Sequence, residues 1–311
     1  MKYFEKTLLY FIFLFYCLNT AHAASVFDLE ENIKIVGQNE TIIAVYEDTL
    51  IDLARTHNLG FTEIVIANRT VDKWLPGAGT KIYLPKKFII PNHSIQDGIT
   101  INLPEYRGYY MNDRKLITFP VGIGRMDWAT PLGISKVDLK LENPAWYPPK
   151  SVQQEYKQRG EYLSPVVPPG PLNPLGKLAM RIDIPGGYFI HGTNKPDGVG
   201  MQVSHGCIRL FPEDIKLIFP LTKINTPVLI ADQPFKIGIL GNEILLEIHE
   251  TLTTDDVRNN FDYIQSMVKE FLSIKGIQST VDWTRVKAIF DEKTGIPAMI
   301  IQFGITESGL D

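Results

Sequence analysis

The feature that most constrains the fold is a series of short strand-forming runs between residues 97 and 232. β-branched and aromatic residues dominate "GITINL", "KLITFPVGIG" and "GISKVDLKL", and later "LAMRIDI", "YFIHG" and "TPVLIAD". Gly, Pro, Asn or Asp separates most runs from the next. Regularly spaced short strands favour a β-sandwich or a barrel-like domain, because each strand needs neighbours for its backbone groups. The chain is therefore predicted to be mainly β, with its largest domain at residues 97–232.

A proline-rich connection interrupts these runs. Eight prolines fall between Pro144 and Pro174, and aromatic residues lie among them. A connection of this length is either functional or disordered. Prolines would keep it stiff, so we predict a wall or lid of a binding site, in which Trp146 and Tyr147 contact the substrate. A surface loop without a role is the alternative.

The region of residues 41–86 has a β-α-α-β pattern. "TIIAVY" is a short strand, Asp48 can cap a helix that Gly60 ends, and Thr62 can cap a second helix before the strand "KIYLP". This pattern predicts secondary structure and, by itself, no ligand.

Residues 233–305 become helical in their second half. Apolar residues recur at helical spacing from a Thr254 cap to a Gly276 stop, and again after Asp282. Such stripes are typical of packing surfaces, so we predict an accessory helical module at the C-terminal end.

Residues 1–23 have the pattern of a cleaved export signal. A weakly basic start precedes the apolar run Leu8–Leu18, and small residues flank the site after Ala23. The run is too short for a membrane anchor and no later run is long enough to span. We therefore expect an exported chain with no membrane span after cleavage, beginning with a linker at residues 24–40.

Cleavage would remove Cys17 and leave Cys207 as the single cysteine of the exported chain. Thiols of exported proteins normally pair, so a lone thiol serves an intermolecular disulfide or is a reactive residue. A buried, inert cysteine is the alternative. A nucleophilic cysteine needs a base, a group that orients the base, and oxyanion donors. His205 shares a strand face with Cys207, and His191 could end a neighbouring strand. Spacing alone leaves both histidines as candidates for the base.

Other groups near Cys207 have candidate roles in the same chemistry. The backbone N–H groups around Gly206 and Cys207 could hold an oxyanion, and Arg209 could attract a substrate carboxylate. The three remaining histidines are predicted to be structural or solvated: His57, His93 and His249.

This constellation resembles the catalytic domain of the L,D-transpeptidases, of the YkuD type. The family signature is His-Gly-x, a spacer, and Ser/Thr-His-Gly-Cys-hydrophobic-Asn/Arg. The corresponding stretches here are His191-Gly192-Thr193 and Ser204-His205-Gly206-Cys207-Ile208-Arg209.

A second resemblance concerns residues 41–86, which are similar to a LysM module, a fold that binds N-acetylglucosamine-containing glycans such as peptidoglycan. The matching positions are Asp48-Thr49-Leu50, Ala54, Asn68 and Ile82-x-Leu84-Pro85, with Glu47 in place of the usual glycine. A signal, a LysM-like module, a catalytic domain and a C-terminal module together resemble the periplasmic branch of Gram-negative bacteria. The resemblance thus implies a periplasmic protein.

The resemblance to the catalytic domain implies roles for individual residues. Cys207 would be the nucleophile and His191 the base, with the Gly192 carbonyl orienting its ring. His205 and Gly206 would shape the oxyanion region, and Ser204 and Arg209 would bind substrate. Loss of His191 would then raise the pKa of Cys207 toward the free-thiol value of about 8.5.

The implied reaction needs no cofactor and no metal. Cys207 would attack the meso-diaminopimelate–D-Ala bond of a peptidoglycan tetrapeptide stem, release D-Ala and pass the acyl group to an amine. That amine would belong to another diaminopimelate, giving a cross-link, or to a Lys of an outer-membrane lipoprotein. Water as acceptor would make the enzyme an L,D-carboxypeptidase. A carbapenem, which is a β-lactam, would acylate the same thiol.

Two other classes of function remain open from the sequence. His191, His205 and Cys207 could bind zinc, which prefers nitrogen and sulfur ligands. The chain could also bind the cell wall without catalysis. A formal net charge of −4, with no block of Lys or Arg, gives no indication of nucleic-acid binding.

Overall fold

The computed structural model describes residues 24–30 and 34–303. The predicted export signal at residues 1–23 lies outside the described residues. Within the described part of the chain, no helix is both long and apolar enough to cross a membrane.

The described residues form eighteen strands and six α-helices. In chain order these are β1 (Ser25–Asp28), β2 (Ile35–Gly37), β3 (Glu40–Ile43), α1 (Leu50–Thr56), α2 (Phe61–Ala67), β4 (Lys81–Leu84), β5 (Lys87–Ile89), β6 (Gly98–Asn102), β7 (Arg107–Asn112), β8 (Lys115–Pro120), β9 (Ile123–Gly124), β10 (Gly133–Glu142), α3 (Lys150–Gln158), β11 (Leu178–Ile182), β12 (Phe189–His191), β13 (Gln202–Ser204), β14 (Ile208–Arg209), α4 (Pro212–Leu221), β15 (Pro227–Ala231), β16 (Phe235–Leu240), β17 (Glu243–Ile248), α5 (Phe261–Lys275), α6 (Trp283–Glu292) and β18 (Ala298–Gln302).

A nine-stranded mixed sheet forms the centre of the protein, in the order β1-β8-β7-β6-β15-β10-β11-β12-β14. Most neighbours are antiparallel, but β15 is parallel to β6 and β12 is parallel to β14. Each of the six runs predicted as strands contains one, and the prediction of a mainly β chain is confirmed. Ile99, Ile190 and Ile208 enter the core beneath α4, whose Ile215 and Ile218 pack on the same cluster.

Residues 24–40, predicted to be a linker, contain paired strands instead. β1 is antiparallel to β8 at the edge of the large sheet, and β2 is antiparallel to β5. The prediction failed because strands of three or four residues are too short to show a pattern in the sequence.

The predicted β-α-α-β order is present in β3, α1, α2 and β4. Two helix caps differ from the predicted ones: the Thr49 side chain, not Asp48, accepts the first-turn N–H of Asp52, and α2 begins after Gly60 instead of at Thr62. Asn68 joins α2 to β4, because its amide bonds the carbonyl of Ile64 and both backbone groups of Tyr83.

This N-terminal unit shares its core with the large sheet. One apolar cluster contains residues of α1, α2 and β4 together with Tyr109, Met111 and Leu116 of β7 and β8. The backbone of Gly200, at φ 80°, approaches so closely that an added Cβ would lie 2.3 Å from the Cα of Gly60. Only glycine fits this contact, so the unit is packed tightly against the segment that joins β12 to β13.

A buried ion pair crosses the same interface. The Arg107 guanidinium is fully buried and donates to both carboxylate oxygens of Glu63 on α2, at 2.8 Å each. It also lies 4.0 Å from the ring centroid of Phe88. A second, more exposed pair joins Arg55 of α1 to Glu213 of α4 at 2.7 Å.

The C-terminal module contains the two predicted helices and also the antiparallel sheet β16-β17-β18, on which the helices pack. Gly276 ends α5 in the left-handed conformation and Asp282 caps α6, as predicted. The cap of α5 is Asn260, whose side chain accepts the N–H of Tyr263; it is not Thr254.

Candidate active site

Cys207 lies in a tight turn between β13 and β14, half-buried and with a free thiol. Gly206, at φ 98°, makes the turn possible, since an added Cβ would lie 2.6 Å from the ring of Tyr188. Thr130 supports the turn from outside, because its hydroxyl donates to the Gly206 carbonyl at 2.9 Å. The local sequence therefore holds the thiol in a fixed position.

Ser204 and Gly206 have different roles from the predicted ones. The Ser204 side chain is buried, donates to the Cys207 carbonyl at 2.6 Å and accepts the Gly206 N–H at 3.1 Å. Its hydroxyl is used inside the turn, so the prediction that it binds substrate is corrected. The Gly206 N–H is occupied in the same way and is not a free oxyanion donor. Within the described residues, the Cys207 N–H donates no hydrogen bond.

His191 ends β12, the strand parallel to β14. The register pairs Ile190 with Ile208 and His191 with Arg209, so the side chains of His191 and Arg209 project from one face of the two strands. Cys207 lies one residue before β14, and the charge of Arg209 acts on both Cys207 and His191. The ring of His191 is buried, and its Nδ1 hydrogen-bonds the carbonyl of Gly192. Because a carbonyl only accepts, Nδ1 carries the proton. The structure thus shows the orienting contact that was predicted for Gly192.

Burial shifts the pKa values of both His191 and Cys207. The pKa of His191 is lowered to about 3, mainly by desolvation and then by the charge of Arg209. The pKa of Cys207 is raised by desolvation, against a backbone hydrogen bond from Phe189 and the charge of Arg209. At neutral pH the site holds a thiol and a neutral imidazole. Desolvation therefore favours the uncharged form of each group, and the effect of His191 on the pKa of Cys207 stays a prediction.

Arg209 is a half-buried cation beside the thiol. Its pKa is lowered by desolvation, while Cys207 and Tyr156 raise it. No carboxylate of the described residues forms an ion pair with it, so its guanidinium can receive a carboxylate from outside.

His205 points toward the proline-rich connection. Its Nε2 hydrogen-bonds the Glu155 carboxylate on α3 at 2.6 Å, and its ring meets the Trp128 ring edge-on, with 5.1 Å between centroids. Arg125 also pairs with Glu155, at 3.2 Å. Hydrogen bonds from His205 and then Arg125 lower the pKa of Glu155 to about 2, so this carboxylate stays charged.

Glu155, Trp128 and Arg125 were not predicted from the sequence. A signal for α3 was present: the ten residues after Pro149 contain neither Pro nor Gly and are rich in helix-forming residues. Its contact with His205 crosses 50 residues and has no sequence signal.

The proline-rich connection is closed at its base by Asn173. This buried amide donates to the Pro144 carbonyl at 2.8 Å and accepts the Leu175 N–H at 2.9 Å. Trp146 forms a backbone bridge with Val167, and the Tyr147 side chain is 70% exposed. Substrate binding by Trp146 and Tyr147 stays a prediction.

A cleft of about 750 Å³ lies next to the end of β12. Its lining includes Gly192, Thr193, Leu178, Ile215 and Pro171, but neither Cys207 nor His191. The cleft therefore borders the residues after His191 and not the thiol itself.

The zinc hypothesis is not supported by the geometry. Among the described residues, one group of His, Cys, Asp and Glu brings three ligand atoms within 4.8 Å of one another: Glu105, Glu247 and His249. The ammonium of Lys236 already lies 2.8 Å from Glu105 and 2.6 Å from Glu247. His191, His205 and Cys207 do not form such a group.

Comparisons with known proteins agree with the geometry. The family described as "YkuD: L,D-transpeptidase catalytic domain" matches residues 96–230. "Probable L,D-transpeptidase YbiS" of Escherichia coli K12 is 34% identical over 275 residues, covering 86% of this chain and 89% of that protein. "Probable L,D-transpeptidase ErfK/SrfK" of Salmonella typhimurium is 33% identical over 281 residues, covering 87% and 89%. "Probable L,D-transpeptidase YcfS" of E. coli K12 is 36% identical over 227 residues, covering 71% of each chain.

Proposed function

Because the chain belongs to the L,D-transpeptidase family with a YkuD catalytic domain, we propose that Cys207 is the nucleophile of this peptidoglycan L,D-transpeptidase. The observation that carries the proposal is the pairing of His191 with Arg209 on two parallel strands, with Cys207 directly before the second strand. The His191-Gly192 hydrogen bond supports it, since it fixes the ring that would receive the thiol proton.

The reaction begins from the neutral pair. As the Cys207 sulfur attacks the carbonyl carbon of the L-centre of meso-diaminopimelate, its proton passes to the unprotonated Nε2 of His191. The tetrahedral oxyanion accepts a hydrogen bond from the backbone N–H of Cys207. When the C–N bond breaks, His191 returns the proton to the amine of the leaving D-Ala, and a thioester remains. An acceptor amine then attacks the thioester, and the sulfur leaves with a proton.

The order of proton transfer is also part of the proposal. Desolvation raises the pKa of Cys207 and lowers that of His191, which favours the uncharged form of each group. In the proposed reaction, proton transfer accompanies carbon–sulfur bond formation. Arg209 provides a positive charge for a substrate carboxylate, which places the scissile carbonyl against the thiol.

The N-terminal unit is proposed to bind glycan strands. Tyr46, Trp74 and Leu75 are 82%, 52% and 76% exposed on two adjoining loops. Backbone hydrogen bonds from Leu50 to Lys73 and from Ala44 to Thr80 hold these loops together. An exposed aromatic surface on a LysM-like unit suits the apolar faces of sugar rings.

The acceptor and the location complete the proposal. The acyl group goes to a diaminopimelate amine or to a Lys of an outer-membrane lipoprotein, and a cleaved export signal at residues 1–23 would direct the protein to the periplasm. Water as acceptor is the second candidate, because the thiol is half-buried and not sealed from solvent.

The test is mass analysis of wall fragments after incubation with the wild-type protein and with Cys207→Ala. We expect D-Ala release and acyl transfer in the wild type only, and a carbapenem adduct on Cys207. Diaminopimelate dimers, lipoprotein-Lys products and free tripeptides distinguish the three acceptors. Unchanged D-Ala release by Cys207→Ala would refute the assignment of the nucleophile.

A further inference from the structure

Ala24, the residue that follows the predicted cleavage site, lies in the core of the catalytic domain. It is 5% exposed and belongs to the central apolar cluster. Its backbone nitrogen donates to Oδ1 of Asp214 at 2.9 Å, across 190 residues of sequence. An export-processed chain would thus begin at a buried carboxylate.

Asp214 lacks a counter-charge. It is 1% exposed, and its Oδ2 has no hydrogen-bond partner among the described residues. Desolvation raises its pKa to about 8, and Glu213 adds to the rise, while Ala24, Arg107 and Arg55 act against it. Both arginines form their ion pairs with other carboxylates, Glu63 and Glu213. Without a cation beside it, this carboxyl is mostly protonated at neutral pH, and an internal peptide N–H supplies no positive charge that would let it ionise.

We propose that hydrolysis of the Ala23–Ala24 bond supplies this cation, so that the new α-ammonium of Ala24 forms a buried ion pair with Asp214. The inference rests on the export signal of the proposed function. A signal peptidase adds one water across the bond, which leaves a carboxylate on Ala23 and an amine on Ala24. The amine takes a proton, as α-amino groups with an ordinary pKa of ~8 do at neutral pH. Its three N–H donors can serve Oδ2 as well as Oδ1.

The ion pair lies directly behind the catalytic turn. Asp214 is in the first turn of α4, which follows β14 after two residues. Ile215, the residue after Asp214, packs against Gly192: a Cβ added to Gly192 would lie 3.1 Å from the Cγ2 of Ile215. Processing therefore completes the support of the helix beneath His191 and Cys207. The contact also fixes where cleavage must fall, because one extra residue moves the ammonium by ~3.8 Å.

The test compares the folding stability of four mature proteins by urea denaturation. One N-terminal form begins at Ala24, and the other carries one extra glycine before Ala24. Each form is made with Asp214 and with Asp214→Asn, which gives four proteins. The extra glycine should lower the folding equilibrium constant ~100-fold or more when Asp214 is present, because it leaves the buried carboxyl without its partner. In the Asp214→Asn background it should have little effect. Equal losses in both backgrounds, or no loss in either, would overturn the proposal.

Chemical labelling of the α-amine gives a second readout that does not need the Asp214 variant to fold. Reductive methylation of the native protein should modify lysines quickly and the Ala24 amine slowly, whereas the extra glycine should react quickly. Rapid methylation of Ala24 would overturn the proposal, as would an exported protein whose N-terminal mass shows cleavage elsewhere. None of these measurements uses turnover, so they are independent of the assignment of Cys207.

Discussion

Glu63→Gln should be among the most destabilising single substitutions at the interface between the N-terminal unit and the sheet. The Arg107 guanidinium is fully buried, and two 2.8 Å hydrogen bonds join it to Glu63. Gln keeps the shape but removes the charge, which leaves a buried cation unpaired. Breaking a buried pair in this way costs ~3–5 kcal/mol. For a chain of this size that loss corresponds to a fall in Tm of roughly 5–9 °C.

The matched control is Glu213→Gln. Arg55 and Glu213 join the same two parts of the protein, but their side chains are 39% and 18% exposed. A pair with this much solvent contact contributes about 0–1 kcal/mol. Urea denaturation followed by tryptophan fluorescence measures both variants. If Glu63→Gln lowers the free energy of unfolding no more than Glu213→Gln does, burial of the Arg107 pair has no energetic consequence.

The same experiment tests whether the N-terminal unit is separable. Phe61 and Thr62 donate their N–H groups to the carbonyls of Val199 and Gly200, on the segment that joins the two catalytic-motif strands. Since the unit also shares an apolar core with β7 and β8, we expect transpeptidase activity to be lost in the same transition as the fluorescence change. Two separate transitions, with activity surviving the first, would contradict the shared core.

Two further predictions concern ligand binding. Arg209→Met should move the pH midpoint of Cys207 alkylation by iodoacetamide upward, because Arg209 lowers the pKa of that thiol, and should reduce kcat/KM ~10–100-fold through loss of a carboxylate contact. Arg209→Lys keeps the charge, so it should preserve the midpoint but still lower kcat/KM. An unchanged midpoint in the Met variant would contradict the placement of the charge. Trp74→Ala should weaken co-sedimentation with insoluble peptidoglycan ~10-fold, whereas the control Leu172→Ala, at a more exposed position on the proline-rich connection (83% against 52%), should not. Equal binding by both variants would show that these loops do not hold the glycan site.

The sequence predicted the strands and the catalytic motif because their signals are local. Alternating β-branched runs specify strands, and the motif places His191 and Cys207 with glycines that allow the turns. Ser204 shows the limit of that reasoning: its position in the motif indicated a substrate contact, but its hydroxyl is used within the turn. A side chain's direction depends on the backbone hydrogen bonds around it, which residue types do not specify.

Contacts between distant segments were beyond prediction. Glu155 meets His205 across 50 residues, and Glu63 meets Arg107 across 44. Neither carboxylate differs in sequence from an ordinary surface glutamate. The cap of α1 was predicted one residue too early, at Asp48 instead of Thr49. Both residue types are good caps, so sequence preference does not distinguish the two neighbours.

Asn173 has a consequence for how this enzyme can diverge. One amide closes the proline-rich connection onto Pro144, 29 residues earlier, while the strands that carry Cys207 and His191 are held by their own ladder. The entropy of closing such a loop grows only with the logarithm of its length, so doubling it costs ~0.6 kcal/mol. Apart from α3, whose Glu155 bonds His205 and Arg125, residues between the two ends can be inserted, removed or exchanged with little effect on folding. We therefore expect the length and sequence of this connection to vary while Cys207 and His191 stay in place.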